Sequence, residues 1–93
     1  MATVTIRITN SEPLPLIVQV DPWAGVYRLA QGETIEFVAE SETNQPEFHI
    51  EDSGRSRILT ILHSDEYFVI RDGRRIHWTQ CQATGFDQDS ALS

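Results

Sequence analysis

Apolar and polar residues alternate with period two over several short segments of the chain. The clearest is residues 3–9, in which Val4, Ile6 and Ile8 share one side and polar residues occupy the other. Strict alternation of β-branched residues is typical of a β-strand with one buried face. Comparable short runs predict further strands at residues 16–20, 26–29, 34–39, 47–51, 57–63, 67–71 and 74–78.

Turn-forming residues separate these segments. Pro13 and Pro15 interrupt the chain after the first strand and restrict the next segment to an edge strand or to a strand start. Residues 21–25, Asp-Pro-Trp-Ala-Gly, form a turn in which proline presets φ and glycine provides a permissive exit.

The last two strands are joined by Asp72-Gly73, which is the strongest short hairpin signal in the sequence. A two-residue turn sets Val69 opposite Ile76 and Tyr67 opposite Trp78, and we predict that this is the core face.

The connection between the third and fourth predicted strands is open to two interpretations. A three-residue loop at 31–33 would set like residues opposite one another and favours a hairpin, with the pairs Leu29–Ile35, Tyr27–Phe37 and Arg28–Glu36. The same turn could instead carry the chain across to a second sheet.

Eight short strands without a helix predict an all-β fold, either a small antiparallel β-sandwich or a partly open barrel of about 7–8 strands. We expect one domain over residues 1–79. Residues 80–93 are a polar tail that we expect to be partly disordered.

The composition restricts the classes of binding partner and the compartment that we expect for this protein. The net charge of −7 argues against nucleic acid, because phosphate contacts require clustered Lys or Arg. No apolar run of membrane-spanning length and no signal-like N-terminus is present, so we expect no membrane contact. A single cysteine, Cys81, is consistent with a reducing compartment, and we expect a cytoplasmic protein.

The charges are unevenly distributed along the chain. Residues 33–52 carry seven acidic residues and no basic one, whereas residues 55–75 carry five of the seven arginines. These two blocks could pair with one another, either across neighbouring strands or between molecules, but separate solvated faces are the interpretation that we favour.

The sequence contains little evidence of a metal site or a catalytic site. The blue-copper arrangement is absent, because Cys81 follows the last histidine and Met1 is the sole methionine. We therefore expect no cofactor and no metal, and the alternative is a metal protein or enzyme in which His49, His63 and His77 converge. No nucleophile motif or phosphate-binding loop is present, and we expect that the protein is not an enzyme.

Candidate binding residues remain on two segments. Trp23 follows a proline in a turn, where it is either an exposed anchor or a plug over the core. Phe68, Ile70, Arg75 and His77 form a second face of the final hairpin, which is an interface unless another layer covers it.

The pattern Asp21-Pro22-Trp23, Tyr27-x-Leu29-x-x-Gly32-Glu33, followed by Glu36 and Val38, resembles a loose group of short uncharacterised bacterial all-β proteins. At the level of fold it is also similar to cupredoxin-like and immunoglobulin-like sandwiches. The resemblance implies a compact β domain and no activity.

These observations favour a protein-interaction or accessory module that binds a protein partner or forms a homo-oligomer, such as a homodimer. A small-ligand or carbohydrate binder that uses Trp23 and Tyr27 as a stacking platform is the alternative.

Overall fold

The computed structural model of the chain describes residues 1–54 and 56–80, and all eight predicted strands are present within them. The strands are β1 (Ala2–Thr9), β2 (Leu16–Asp21), β3 (Gly25–Leu29), β4 (Thr34–Ser41), β5 (Glu47–Ser53), β6 (Ser56–Leu62), β7 (Glu66–Arg71) and β8 (Arg74–His77). Each boundary lies within two residues of the predicted one, because proline, glycine and polar turns punctuate the apolar alternation.

The strands form two four-stranded sheets packed face to face. Sheet 1 has the order β1-β4-β7-β8 and sheet 2 the order β3-β2-β6-β5. Five of the six strand pairs are antiparallel, and β2 runs parallel to β6. The predicted all-β class is confirmed, and of the two predicted architectures the chain adopts the sandwich.

The core lies between the sheets and is supplied by alternate residues of their central strands. Every second residue of β2, β3 and β7 is buried, as period-two alternation requires. The apolar residues of this core are Ile8, Leu16, Val18, Val20, Tyr27, Leu29, Ile35, Phe37, Ala39, Leu59, Ile61, Tyr67, Val69 and Ile76.

The β3–β4 turn crosses from sheet 2 to sheet 1, so the hairpin register preferred from the sequence is wrong. Glu36 lies beside Arg7 of β1 at 3.6 Å, rather than opposite Arg28. Tyr27 and Phe37 do meet, but across the interior, with ring centroids 5.4 Å apart.

Asn10 holds this crossing in place. Its backbone bonds to the turn in both directions: Gly32 N donates to Asn10 O at 2.7 Å, and Asn10 N donates to Glu33 O at 3.0 Å. Its side-chain Nδ2 donates to the carbonyls of Leu14 and Leu29 at 2.9 and 3.0 Å. A single buried amide thus ties the end of β1 to the start of β2 and to the end of β3.

Replacing Asn10 by alanine is expected to lower the free energy of unfolding by about 1.5 kcal/mol, because the buried carbonyl of Leu29 then loses its donor. Urea denaturation of Asn10→Ala measures this loss. Asn44→Ala, in the exposed β4–β5 loop, is the control and should stay within about 0.5 kcal/mol of the parent. Equal losses in the two variants would contradict the role assigned to Asn10.

The final hairpin has the predicted register. Val69 lies opposite Ile76 and Phe68 opposite His77. The core face is the predicted one, since Tyr67 and Val69 are fully buried and Ile76 is nearly so. Trp78 follows the end of β8, and its ring stacks on that of Tyr67 at 6.4 Å.

β5 is an edge strand of sheet 2, and one of its core-side residues is consequently exposed. Phe48 and Ile50 share the core side of this strand, and Phe48 packs against the core, but Ile50 is 47% exposed. Among the described strands β5 pairs only with β6, so no described strand on its far side covers Ile50. Of the predicted tail, residues 80–93, all but Gln80 lie outside the described residues. Within residues 1–54 and 56–80 no helix is long and apolar enough to cross a membrane.

Candidate interaction surface

Trp23 is a core plug rather than an exposed anchor. It lies in the β2–β3 turn, which contains a cis Asp21–Pro22 peptide bond. Its ring makes edge contacts with Trp78 at 4.8 Å and with Tyr67 at 5.5 Å, and it is half-buried against the core. Burial of this aromatic surface accounts for the residue without a ligand.

Tyr27 cannot form a stacking platform with Trp23. Its side chain is only 1% exposed, and its phenol oxygen is hydrogen-bonded to that of Tyr67 at 2.9 Å inside the sandwich. The expected platform is therefore absent, since one of its two rings is part of the core.

The four hairpin residues predicted as a binding face lie together on the outer face of sheet 1. Because Val69 and Ile76 point into the core, Phe68 and Ile70 of β7 and their β8 partners point outward. Val38 of β4 lies opposite Phe68 and completes the cluster. We call this set the hairpin patch: Val38, Phe68, Ile70, Arg75 and His77.

Arg75 is fixed over the centre of the hairpin patch. Its guanidinium carbon lies 4.1 Å from the centroid of the Phe68 ring, which is a cation–π geometry. Its Nη2 also donates to Glu40 Oε2 at 3.1 Å. The Arg75 side chain nevertheless remains 51% exposed, so a preordered guanidinium is presented to solvent.

His77 closes one side of the patch. Its Nε2 lies 2.7 Å from Glu66 Oε1, and its Nδ1 lies 2.7 Å from Thr79 Oγ1. Its ring also meets that of Phe68 edge-on at 5.1 Å. Both ring nitrogens are engaged by neighbours, so the imidazole is held in one orientation and contributes its ring edge to the surface.

The three histidines do not converge. His49 lies on the outer face of sheet 2, since its partner Thr60 alternates with the buried Leu59 and Ile61. His63 is exposed just after β6, with φ of 60°. Within the described residues no group of three or more His, Cys, Asp or Glu could hold a metal ion. The three-histidine alternative therefore has no geometric basis.

The two charge blocks meet within the chain, so the favoured interpretation of separate solvated faces is wrong for the following pairs. Arg75 pairs with Glu40 and Arg71 with Glu33, each at 3.1 Å, and Arg57 approaches Asp52 at 4.0 Å. Arg71 is buried and also donates to the Arg28 carbonyl at 2.5 Å, which joins the two sheets. The exposed pairs contribute little stability individually.

The hairpin patch has no second layer within residues 1–54 and 56–80. The eight strands form only two sheets, and sheet 2 packs against the opposite face of sheet 1. Val38 is 5% exposed, whereas Phe68 and Ile70 keep intermediate exposure. Among the described residues, this apolar cluster is thus covered by neighbouring side chains of the same sheet.

Val38 is the member of the patch that sequence reasoning missed. The run Ile35-Glu36-Phe37-Val38-Ala39 is apolar on both faces around Val38. An apolar residue in the polar phase of a strand is the signal that would have found it.

Comparison of the chain with models of known protein families, with curated proteins and with solved structures gives no match. The resemblance to short bacterial all-β proteins therefore stays a prediction.

Proposed function

We propose that this domain is a non-catalytic protein-interaction module that binds a protein partner through the hairpin patch. One observation carries the proposal: four residues selected from the sequence lie side by side on an outer sheet face, with Arg75 held over Phe68. An apolar centre with a positioned arginine has the composition of the binding hot spots that dominate protein interfaces.

Preorganisation supports this use of the patch. An arginine side chain that is free in solution loses rotamer entropy when a partner fixes it. Arg75 is already fixed by the Phe68 ring and by Glu40, so less of that entropy remains to be lost on binding. The guanidinium has five N–H donors, and donors beyond the Glu40 bond can serve a partner.

The patch also defines the chemistry of the partner. Phe68 and Ile70 are half-buried and would be covered by an apolar or aromatic side chain. Arg75 on one side favours a carboxylate in the partner. A protein surface offers both groups, whereas nucleic acid is disfavoured by the net charge of −7. With one cysteine in the chain, the proposal places this interaction in the cytoplasm.

The test compares two arginine variants in a binding experiment with a captured partner. Arg75→Ala removes the guanidinium from the patch, and we expect binding about tenfold weaker, as for truncation of a hot-spot residue. Arg28→Ala is the matched control, because Arg28 is an exposed strand residue of sheet 2 with the same charge. Its affinity should match that of the parent protein, as measured by isothermal titration calorimetry.

Equal affinity of the Arg75→Ala and Arg28→Ala variants for every partner captured would contradict the proposal. Circular dichroism and thermal unfolding of both variants establish that the comparison is made between folded proteins.

A further inference from the structure

In the part of the chain that the structure describes, the sandwich has four edge strands, and three of them carry features that discourage pairing with another chain. β8 is four residues long and includes Arg74 and Arg75. β3 has five residues, and the Arg28 carbonyl already accepts a bond from Arg71. β5 has four ionisable side chains in seven residues. Short length and charge are common means by which edge strands avoid association.

β1 lacks this protection. It is eight residues long, it pairs with β4 in unbroken register from Ala2 to Thr9, and it has neither a proline nor a bulge. Its one charged residue is Arg7. Six of the eight residues are β-branched: Thr3, Val4, Thr5, Ile6, Ile8 and Thr9. A long, regular and weakly charged edge is a template for adding a further strand.

We propose that β1 pairs with β1 of a second copy of this chain, antiparallel, so that two copies of sheet 1 become one continuous eight-stranded sheet. The main-chain groups on the free side of β1 supply the hydrogen bonds of the new ladder. The interface is isologous, with the same strand contributed by each copy.

The sequence of β1 is self-complementary in this arrangement. Antiparallel pairing centred on Thr5 sets Val4 opposite Ile6 and Arg7 opposite Thr3. Pairing centred on Ile6 instead sets Arg7 opposite Thr5. Both registers keep the core-side residues on one face, pair β-branched residues with one another and set no like charges opposite.

The half-buried residues of the edge support the choice of a second copy as occupant. Val4 and Ile6 lie on the core side of β1 but are only partly buried, because no described strand flanks them on the free side. A second β1 brings an identical Val and Ile alongside and removes this apolar surface from water. Self-pairing of β5 would instead gather three carboxylates from each copy: Glu47, Glu51 and Asp52.

The dimer has a consequence for binding that rests on the proposed function, although the dimer itself does not. In the continuous sheet both hairpin patches lie on the same face. Their β7 strands are five strand spacings apart, or about 24 Å at about 4.8 Å per spacing. A partner with two binding segments could therefore engage both patches and gain avidity.

Sedimentation equilibrium over a wide concentration range tests the dimer, with Thr5→Lys as the disrupting variant. Thr5 is exposed on the outer face of β1, so lysine is tolerated by the monomer fold. In the Thr5-centred register the new lysine lies opposite the same lysine of the second copy. In the Ile6-centred register it lies opposite Arg7 of the second copy, so either register sets like charges opposite. We expect the dimer dissociation constant to rise about tenfold, as like charges then face each other across the two-fold axis.

Gln19→Lys is the matched control, since Gln19 is an exposed residue of the central strand β2 in sheet 2. Both variants reduce the net negative charge by one, which by itself favours association of an acidic protein. Dissociation caused by Thr5→Lys but not by Gln19→Lys supports pairing through β1. A parent protein that is monomeric at all concentrations, or two variants that behave alike, would overturn it.

Amide hydrogen exchange provides a readout that does not depend on a substitution. In the parent protein, the β1 amides whose N–H groups point to the free edge should exchange more slowly at high than at low protein concentration. The exchange rates of the β5 amides should not depend on concentration. Protection of β1 that is independent of concentration would mean that the edge is covered within one copy, and the proposal would be wrong.

Discussion

Replacing Tyr67 by alanine is expected to lower the free energy of unfolding by about 3–5 kcal/mol, as for other large aromatic residues removed from a core. The side chain is fully buried, and its ring contacts those of Trp23 at 5.5 Å, Phe37 at 6.2 Å and Trp78 at 6.4 Å. Alanine leaves a cavity at the point where the plug meets both sheets. Equilibrium urea denaturation, followed by tryptophan fluorescence and circular dichroism, measures the loss.

Tyr67→Phe is the matched variant, since it keeps the ring and removes only the hydroxyl that bonds to Tyr27 at 2.9 Å. We expect it to cost about 1 kcal/mol, the usual net contribution of one hydrogen bond. A cost below about 1 kcal/mol for Tyr67→Ala itself would show that this face of the hairpin is not core.

Gly25→Ala is expected to cost about 2–3 kcal/mol, at the upper end of what an added methyl group costs in a packed core. A Cβ at this position would lie 2.7 Å from Tyr67 Oη and 2.9 Å from Tyr27 Cε2. Both tyrosines are fixed by burial and by their mutual hydrogen bond, so neither ring can withdraw easily. Gly32→Ala is unsuitable as a control, because Gly32 has a φ of 86°, which alanine adopts only with strain. Ala30→Gly, at an exposed position, is the control.

A double-mutant cycle tests whether the cost of Gly25→Ala arises from contact with Tyr67. Tyr67→Phe removes the oxygen that lies nearest to the added methyl group, so Gly25→Ala should cost less in that background, by about 1 kcal/mol. Strictly additive losses in urea denaturation would contradict the contact between Gly25 and the tyrosine pair.

The strands were predictable because one physical requirement, burial of one face, determines the alternation along each of them. Residues 3–9 and the final hairpin show this best, since β-branched alternation and the Asp72-Gly73 turn specify both the strand and its inward face. Local sequence was sufficient for these elements, because the alternation and the turn are both encoded within a few neighbouring residues.

The partner of β4 was not predictable by the same reasoning. Matching Leu29 with Ile35 and Tyr27 with Phe37 is satisfied equally by a hairpin and by two strands that face each other across a sandwich. Only contacts distant in sequence decide between the two, and here Asn10 binds the 31–33 loop from the end of β1. Pairing rules for neighbouring strands contain no information on these hydrogen bonds between Asn10 and the loop.

The candidate surface was predictable in part. Phe68, Ile70, Arg75 and His77 were placed on one face by the hairpin register alone. For Trp23 the sequence left an exposed anchor and a core plug as alternatives, and the plug is confirmed by the contact with Trp78, which is distant in sequence. The bond between Arg75 and Glu40 was also beyond local reasoning, because it joins β8 to β4 across the intervening β7.

The most direct test of the hairpin patch as a protein-binding surface is site-specific photo-cross-linking in the native cell. A photoreactive phenylalanine derivative replaces Ile70 in one variant and Gln19, an exposed residue on the outer face of sheet 2, in the other. We predict a discrete covalent adduct to another protein from position 70 that is absent from position 19 and is lost when Arg75→Ala is added. No adduct from position 70, or the same adducts from both positions, would contradict the account.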